Sequence, residues 1–165
     1  MIRPTVPGDV EPLVALAADT GFFKPLEMQA LREVFDDYFA GAADGGHQCA
    51  TLEEANRRLG FVDFAPTAMA VGTWHLWWIA VAAGVQRRGL GGQLLRHAED
   101  EARRGGGRHL LIETGSVPLY EPTRRFYEFH GYTQVAHIPD YYAEGDSMIV
   151  FRKLLLGSGP RLQFD

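Results

Sequence analysis

The run Gln-Arg-Arg-Gly-Leu-Gly-Gly at residues 86–92 constrains this chain more than any other feature. It follows an apolar, aromatic and β-branched run at 74–81 and opens a helical pattern at 90–104. In that helix Leu90, Leu94, Leu95, Ala98 and Ala102 fall on one face, and Gln93, Arg96, Glu99, Asp100 and Arg103 on the other. A turn at such a junction leaves the first N–H groups of the helix without internal partners. Gly89, Gly91 and Gly92 carry no side chains to obstruct an anion, so several N–H groups can converge on it. The helix dipole adds partial positive charge, and Arg87 and Arg88 add full charges. Two common phosphate loops are excluded. A P-loop requires Lys and then Ser or Thr where Gln93 and Leu94 stand, and Leu94 also occupies the third glycine position of a dinucleotide fingerprint. A ligand-free glycine turn is the plain alternative; the strand–turn–helix context and paired arginines weigh against it.

Around this junction the elements read in a definite order. Residues 1–4 form a short strand, and a helix follows with Asp9 as N-cap, Glu11 in its first turn and Val10, Leu13, Val14 and Ala17 on its apolar side. A second helix spans 26–39, with Leu31, Val34, Phe35, Tyr38 and Phe39 at helical spacing and Gly41 as its stop. Strands are expected at 48–53 and 59–65, with Gly60 marking a bulge or a close approach. The 74–81 strand has the composition of one buried on both faces. After the long helix come a strand at 109–114, a short helix at 122–130 closed by Gly131, and strands at 132–138 and 147–155 joined through 141–146. The pattern predicts one mixed α/β domain over 1–156 and a mobile tail at 157–165.

Composition narrows the function classes. With 165 residues, 46% hydrophobic and 22% charged, the chain suits one ordinary globular domain. A net charge of −5 argues against nucleic acid, including an RNA-directed toxin, and suits a cationic substrate. Cys49 is the only cysteine, which excludes an intrachain disulfide and a cysteine zinc site. That single thiol, with no secretory leader, points to the cytoplasm. The longest apolar region, 76–83, is far short of the ~20 residues a membrane helix needs. His47, His97, His109, His130 and His137 show no ligand spacing, so no metal is expected.

Residues 81–95 resemble the acetyl-CoA signature Q/R-x-x-G-x-G/A of the GNAT superfamily of N-acetyltransferases, matched here by Gln86, Gly89 and Gly91 without a gap. Residues 120–132 are similar to the family's second landmark, a helix carrying F/L-Y-E before G-F/Y, here Phe126-Tyr127-Glu128 and Gly131-Tyr132. The likeness extends through 73–81 and 140–153, toward a bacterial-type subgroup, and covers nearly the whole chain before the tail. It implies the GNAT acyl-CoA N-acyltransferase fold, in the order β-α-α-β-β-β-α-β-α-β-β, with a central, mostly antiparallel sheet splayed at the strand around 74–81. It also implies an acyl-CoA-dependent enzyme that moves an acetyl group from acetyl-CoA to a primary amine of a small molecule or peptide, directly and in a ternary complex. A non-catalytic acyl-CoA sensor is the competing reading, since fold and cofactor site do not guarantee chemistry.

The resemblance also distributes roles. It puts Gln86, Arg87, Arg88, Gly89, Leu90, Gly91 and Gly92 on the pyrophosphate of coenzyme A. It puts the backbone of Ile79 and Val81 on the pantetheine amides, and Tyr120, Thr123 and Arg124 at the far end of the coenzyme. Tyr127 is the implied general acid for the departing thiolate; its plain alternative is a tyrosine packed beside Phe126. His75 stands where histone-type members carry a glutamate base and could relay a proton through water. Glu113 is the alternative base, and water chains alone are a third option. The usual family asparagine is absent, and Glu121 stands at its spacing. Arg125 reads equally as a solvated helix charge. For the acceptor, Phe22, Phe23, Trp77, Tyr141 and Tyr142 could line a pocket, and Asp140, Glu144 or Asp146 could hold an ammonium. An exposed final strand would let two copies pair as a homodimer.

Overall fold

The computed structural model describes residues 1–41 and 46–155, so the expected tail at 157–165 lies outside the described residues. The strands are β1 (Ile2–Pro4), β2 (Gln48–Glu54), β3 (Arg57–Pro66), β4 (Thr73–Val81), β5 (His109–Gly115), β6 (Thr133–Ala143) and β7 (Asp146–Leu154). The helices are α1 (Val10–Asp19), α2 (Pro25–Phe39), α3 (Leu90–Arg104) and α4 (Glu121–Phe129). Element order is as expected from the sequence. The strands form one sheet in the order β1-β2-β3-β4-β5-β7-β6, antiparallel throughout except between β4 and β5.

Helices cover both faces of this sheet, because each strand buries alternate residues on opposite sides. On one face, Leu94, Leu95, Ala98 and Ala102 of α3 pack with Val62, Phe64, Leu110, Ile112 and Phe151. On the other, Leu13 and Ala17 of α1 and Leu31 and Phe35 of α2 pack with Cys49, Phe61 and Ala80. Each fully buried leucine or phenylalanine contributes about 2 kcal/mol, so the apolar stripes of α1 to α3 favour their docking on the sheet.

Several local expectations are corrected. Asp9 does not cap α1 with its side chain. It is fully buried, accepts the Val6 N–H at 3.0 Å and pairs with Arg3 at 2.6 Å and Arg58 at 2.8 Å. Glu99 does not face water; it is buried, accepting the Tyr132 hydroxyl at 3.0 Å and Lys153 at 3.0 Å. A charge partner from β7 is what makes that burial affordable, and no helical periodicity reveals it. Strand β6 continues through Tyr141 and Tyr142 to Ala143, turning at Gly145, where a loop was expected. Gly60 is a close approach, since a Cβ there would lie 2.7 Å from the Ala80 carbonyl oxygen, and it also adjoins a bulge: Leu52 pairs with Gly60 and Glu53 with Arg58, which leaves Leu59 as an extra residue on β3.

The bulge that matters lies further along. Asp63 pairs with Trp78 and Phe64 with Leu76, so Trp77 is an extra residue on β4. Trp77 is thereby turned outward, 49% exposed, and β4 is not buried on both faces as its composition suggested.

Candidate active site

Strands β4 and β5 pair only over Thr73–Leu76 and His109–Ile112. Beyond that point β5 continues to pair with β7 through Gly115, while the rest of β4 stays with β3. The parallel neighbours therefore diverge, and the backbone edge of Trp77 to Val81 faces a gap. The Trp77 bulge, which sharpens the local twist, is the physical cause. The gap opens into a cleft of about 820 Å³ that reaches both faces of the sheet.

The glycine-rich turn stands at one end of this cleft. Arg87 and Gly89 have φ of 66° and 74°, the left-handed region, and the chain enters α3 with Gly89 as N-cap. No side chain caps α3, so the N–H groups of Leu90, Gly91 and Gly92 at its first turn are left for another acceptor. Gln86, Arg87, Gly89, Leu90, Gly91 and Gly92 all line the cleft. Arg88 does not: its guanidinium lies 3.2 Å from Glu54 at the β2–β3 hairpin. The Gln86 amide reaches back to the Val81 carbonyl at 3.3 Å, tying the turn to the open edge of β4.

Along the wall come Ile79 and Val81, then Tyr127 from α4. Tyr127 is 4% exposed, and burial alone pushes its phenol above the ordinary tyrosine value. Its hydroxyl makes no protein hydrogen bond among the described residues, yet it is not sealed off, because it lines the cleft. Tyr120 and Thr123 also line it. Arg124 turns away and donates to the carbonyls of Gly115 and Val117 at 2.8 and 3.1 Å, holding the end of β5 in place. Arg125 pairs with Glu121 on the exposed side of α4 at 2.6 Å.

The two base candidates come together. Glu113 of β5 lines the cleft, and His75 of β4 stands behind it, with Nε2 3.5 Å from the Glu113 carboxylate. His75 is not itself on the cleft wall; its ring stacks on Trp77 at 4.8 Å between centroids. Sequence alone leaves them as alternatives, because they are 38 residues apart in the chain and only the parallel pairing of β4 with β5 makes them neighbours.

On the opposite side, Phe22, Phe23, Trp77 and Tyr142 line the cleft, and Tyr141 does not. Of the three acidic candidates, Asp146 alone lines it, with one oxygen accepting the Ser116 N–H at 3.0 Å. Asp140 is exposed and accepts the Gly145 N–H at 2.8 Å, which closes the hairpin, and Glu144 is exposed at its tip. Burial, and then Glu113, pushes the Tyr142 phenol up to about 12, so it remains protonated at neutral pH. Sequence reading missed Glu27, whose carboxylate accepts the Lys24 N–H at the start of α2, and His130, which packs over Gly92. The first carried a signal, since Lys24-Pro25-Leu26-Glu27 places an acidic N3 residue after Pro at N1. His130 carried none. Among the described residues no group of three His, Cys, Asp or Glu could hold a metal ion, and no helix is long and apolar enough to cross a membrane.

Comparison with known proteins gives a consistent set of relatives. The profile described as Acetyltransferase (GNAT) family matches residues 14–132. A GNAT-family protein from Desulfovibrio desulfuricans is 35% identical, with a TM-score of 0.90 over 94% of this chain and 98% of its own. The uncharacterized N-acetyltransferase YsnE of Bacillus subtilis is 30% identical over 106 residues, 64% of this chain but only 61% of YsnE. An aminoglycoside 6′-N-acetyltransferase complexed with coenzyme A shares the fold, with a TM-score of 0.74 at 17% identity over 99% of both chains.

Proposed function

This chain belongs to the acetyltransferase (GNAT) family, whose members are acyl-CoA-dependent N-acyltransferases, and on that premise we propose that it acetylates a primary amine from acetyl-CoA by direct attack within the cleft. One observation carries the reading: a left-handed glycine turn, an unpaired strand edge and a buried tyrosine hydroxyl line the same gap between β4 and β5. The N–H groups of Leu90, Gly91 and Gly92, with Gln86 and Arg87, hold the pyrophosphate. The backbone of Ile79 and Val81 faces the pantetheine amides, and Tyr120 and Thr123 border its other side. Arg88 and Arg124 are committed to Glu54 and to backbone carbonyls, and act on the scaffold. A coenzyme A complex in a relative of the same fold supports the donor assignment.

The reaction starts from an ammonium, which has no lone pair until one proton is removed. The free amine attacks the thioester carbonyl, the C–N bond forms and the C–S bond breaks. Of the two protons that leave nitrogen, one replaces the proton Tyr127 gives to the departing sulfur, and the other goes to solvent. Tyr127 suits its part because a phenol held protonated by burial still donates to a forming thiolate. Glu113, on the wall, receives the first proton with His75 behind it. Phe22, Phe23, Trp77 and Tyr142 flank the acceptor, and Asp146 draws its positive charge. The acceptor is a small-molecule or peptide amine.

A thiol-release assay with acetyl-CoA and a broad panel of primary amines tests this reading. At least one amine should release coenzyme A in proportion to enzyme. If every amine stays flat while coenzyme A still raises the melting temperature, the protein is an acyl-CoA sensor and the catalytic reading is lost.

A further inference from the structure

Asp146 carries a charge that the fold does not neutralise. The residue is only 8% exposed, yet it lines the cleft. Its Oδ1 accepts the Ser116 N–H at 3.0 Å, and Oδ2 has no protein hydrogen-bond partner among the described residues. No lysine, arginine or histidine among those residues forms an ion pair with it. Arg124 also reaches the end of β5, but its guanidinium is occupied by the Gly115 and Val117 carbonyls. Of the lysine and arginine on the cleft wall, Lys24 is exposed and Arg87 stands at the glycine-rich end. Buried carboxylates are ordinarily paired. One left open on a cleft wall calls for a cation from the ligand.

Gly115 fixes where that charge lies. A Cβ on Gly115 would fall 2.8 Å from Asp146 Oδ1 and 2.7 Å from the Tyr120 ring, so the carboxylate borders the space a side chain at 115 would fill. Residues 113 and 115 project from the same face of β5, and their register with β7 runs through both without a shift. The Asp146 carboxylate is therefore displaced from the Glu113 side chain by about two strand residues, roughly 7 Å. Both carboxylates line the cleft beyond the point where β4 leaves β5. Tyr142 stands within reach of both: burial first, then Glu113, Tyr141, Asp146 and Glu27 raise its pKa. Glu27, at the start of α2, adds a third negative charge to this side of the cleft.

We propose that Asp146 selects the acceptor: it holds a second ammonium of a short diamine or polyamine whose first amine is acetylated beside Glu113. The inference rests on the acetyl-transfer reading above and narrows its acceptor to a dibasic class. The two carboxylates have different tasks. Glu113 takes a proton so that the first nitrogen can attack, whereas Asp146 pairs with an ammonium that keeps its proton and is not acetylated. A saturated chain of about three to five carbons covers the span between them, with Phe22 and Tyr142 along its apolar stretch. Filling the cleft displaces water, so a monoamine would leave the Asp146 carboxylate with neither water nor cation. The product carries one ammonium and one neutral amide. Turning it around for a second transfer would set the amide against Asp146, so the reaction stops after one acetyl group.

The test uses the full chain and the terminal diamines of propane, butane and pentane, each against the monoamine of the same length. Calorimetry on the coenzyme A complex, and kcat/KM with acetyl-CoA, should favour the best diamine over its monoamine by about 10- to 100-fold, the range for a hydrogen bond to a charged group. Mass spectrometry should show one acetyl group per diamine. Asp146→Asn keeps an oxygen for the Ser116 N–H and removes only the charge, and should bring the diamine-to-monoamine ratio close to one. Diamines no better than monoamines with wild-type protein overturn the proposal while leaving acetyl transfer standing. A preference that survives Asp146→Asn, or a diamine acetylated at both ends at comparable rates, does the same. Should the variant fail to fold, the wild-type ratio and the count of acetyl groups decide. If no amine releases coenzyme A, the acetyl-transfer reading fails instead, and the diamine-to-monoamine binding ratio judges Asp146.

Discussion

Tyr127 illustrates what a single side chain owes to its surroundings. Its neighbours Phe126, Tyr132 and Phe151 hold the ring by aromatic contacts, leaving the hydroxyl as its one polar atom at the cleft. Tyr127→Phe removes that atom and little packing. If the hydroxyl protonates the leaving sulfur, kcat should fall on the order of 100-fold, with coenzyme A affinity nearly unchanged. Equal wild-type and variant turnover between about pH 7 and 9 would rule out the acid role. The tyrosine was legible because its Phe-Tyr-Glu setting matches a family landmark. Its seclusion was not, since neighbours from α4, β7 and the turn after α4 supply it.

At the scale of an element, the start of α3 combines a conformational demand with an electrostatic one. Gly89 has φ of 74° and open space around its Cβ position, so an alanine there meets no neighbour and is penalised by backbone conformation alone. Such a substitution costs roughly 1–2 kcal/mol and turns the first N–H groups of α3 away from a common point. Gly89→Ala should therefore lose both stability and most of the melting-temperature increase that coenzyme A gives. Gly84→Ala is the control: it also meets nothing within 4 Å but has no positive φ, and it should bind as wild type. Calorimetry with and without coenzyme A separates the two. This glycine pattern was fully legible from spacing. The gap it faces was legible only through the family resemblance, which implied a sheet splayed around 74–81; periodicity and composition do not show it, because the divergence of β4 from β5 goes with a bulge at Trp77.

For the whole molecule, the group that ties distant segments together is Asp9. Its carboxylate, fully buried, joins Arg3 of β1 to Arg58 of β3, while Arg3 also reaches Glu53 of β2 at 2.5 Å. The Arg3 hydrogen bond holds the Asp9 carboxyl well below the usual carboxylate range, against the opposing effect of burial. A carboxyl depressed in the folded state contributes its full stability above the unfolded pKa of about 3.9 and loses it as pH falls toward the folded value. Acid unfolding should accordingly set in below about pH 4. Asp9→Asn should cost about 3 kcal/mol near neutral pH by leaving two arginines without their buried partner, and should flatten the pH dependence of stability below about pH 4. Urea melts of both proteins across that range measure this.

Periodicity, turn chemistry and two spaced motifs were enough to place the seven strands and four helices of the described residues in order and to single out the glycine-rich turn, because each is a property of residues close together in the chain. They could not choose among acidic candidates. Asp146 rather than Asp140 or Glu144 reaches the cleft only because β6 and β7 continue as a hairpin to residue 146, with a bulge and a left-handed Asp140 on the way. Nor could they join His75 to Glu113. That contact exists because the sheet sets β4 and β5 side by side, and the register of strand pairing, which is cooperative across the whole sheet, is decided by the buried faces and not by any one segment.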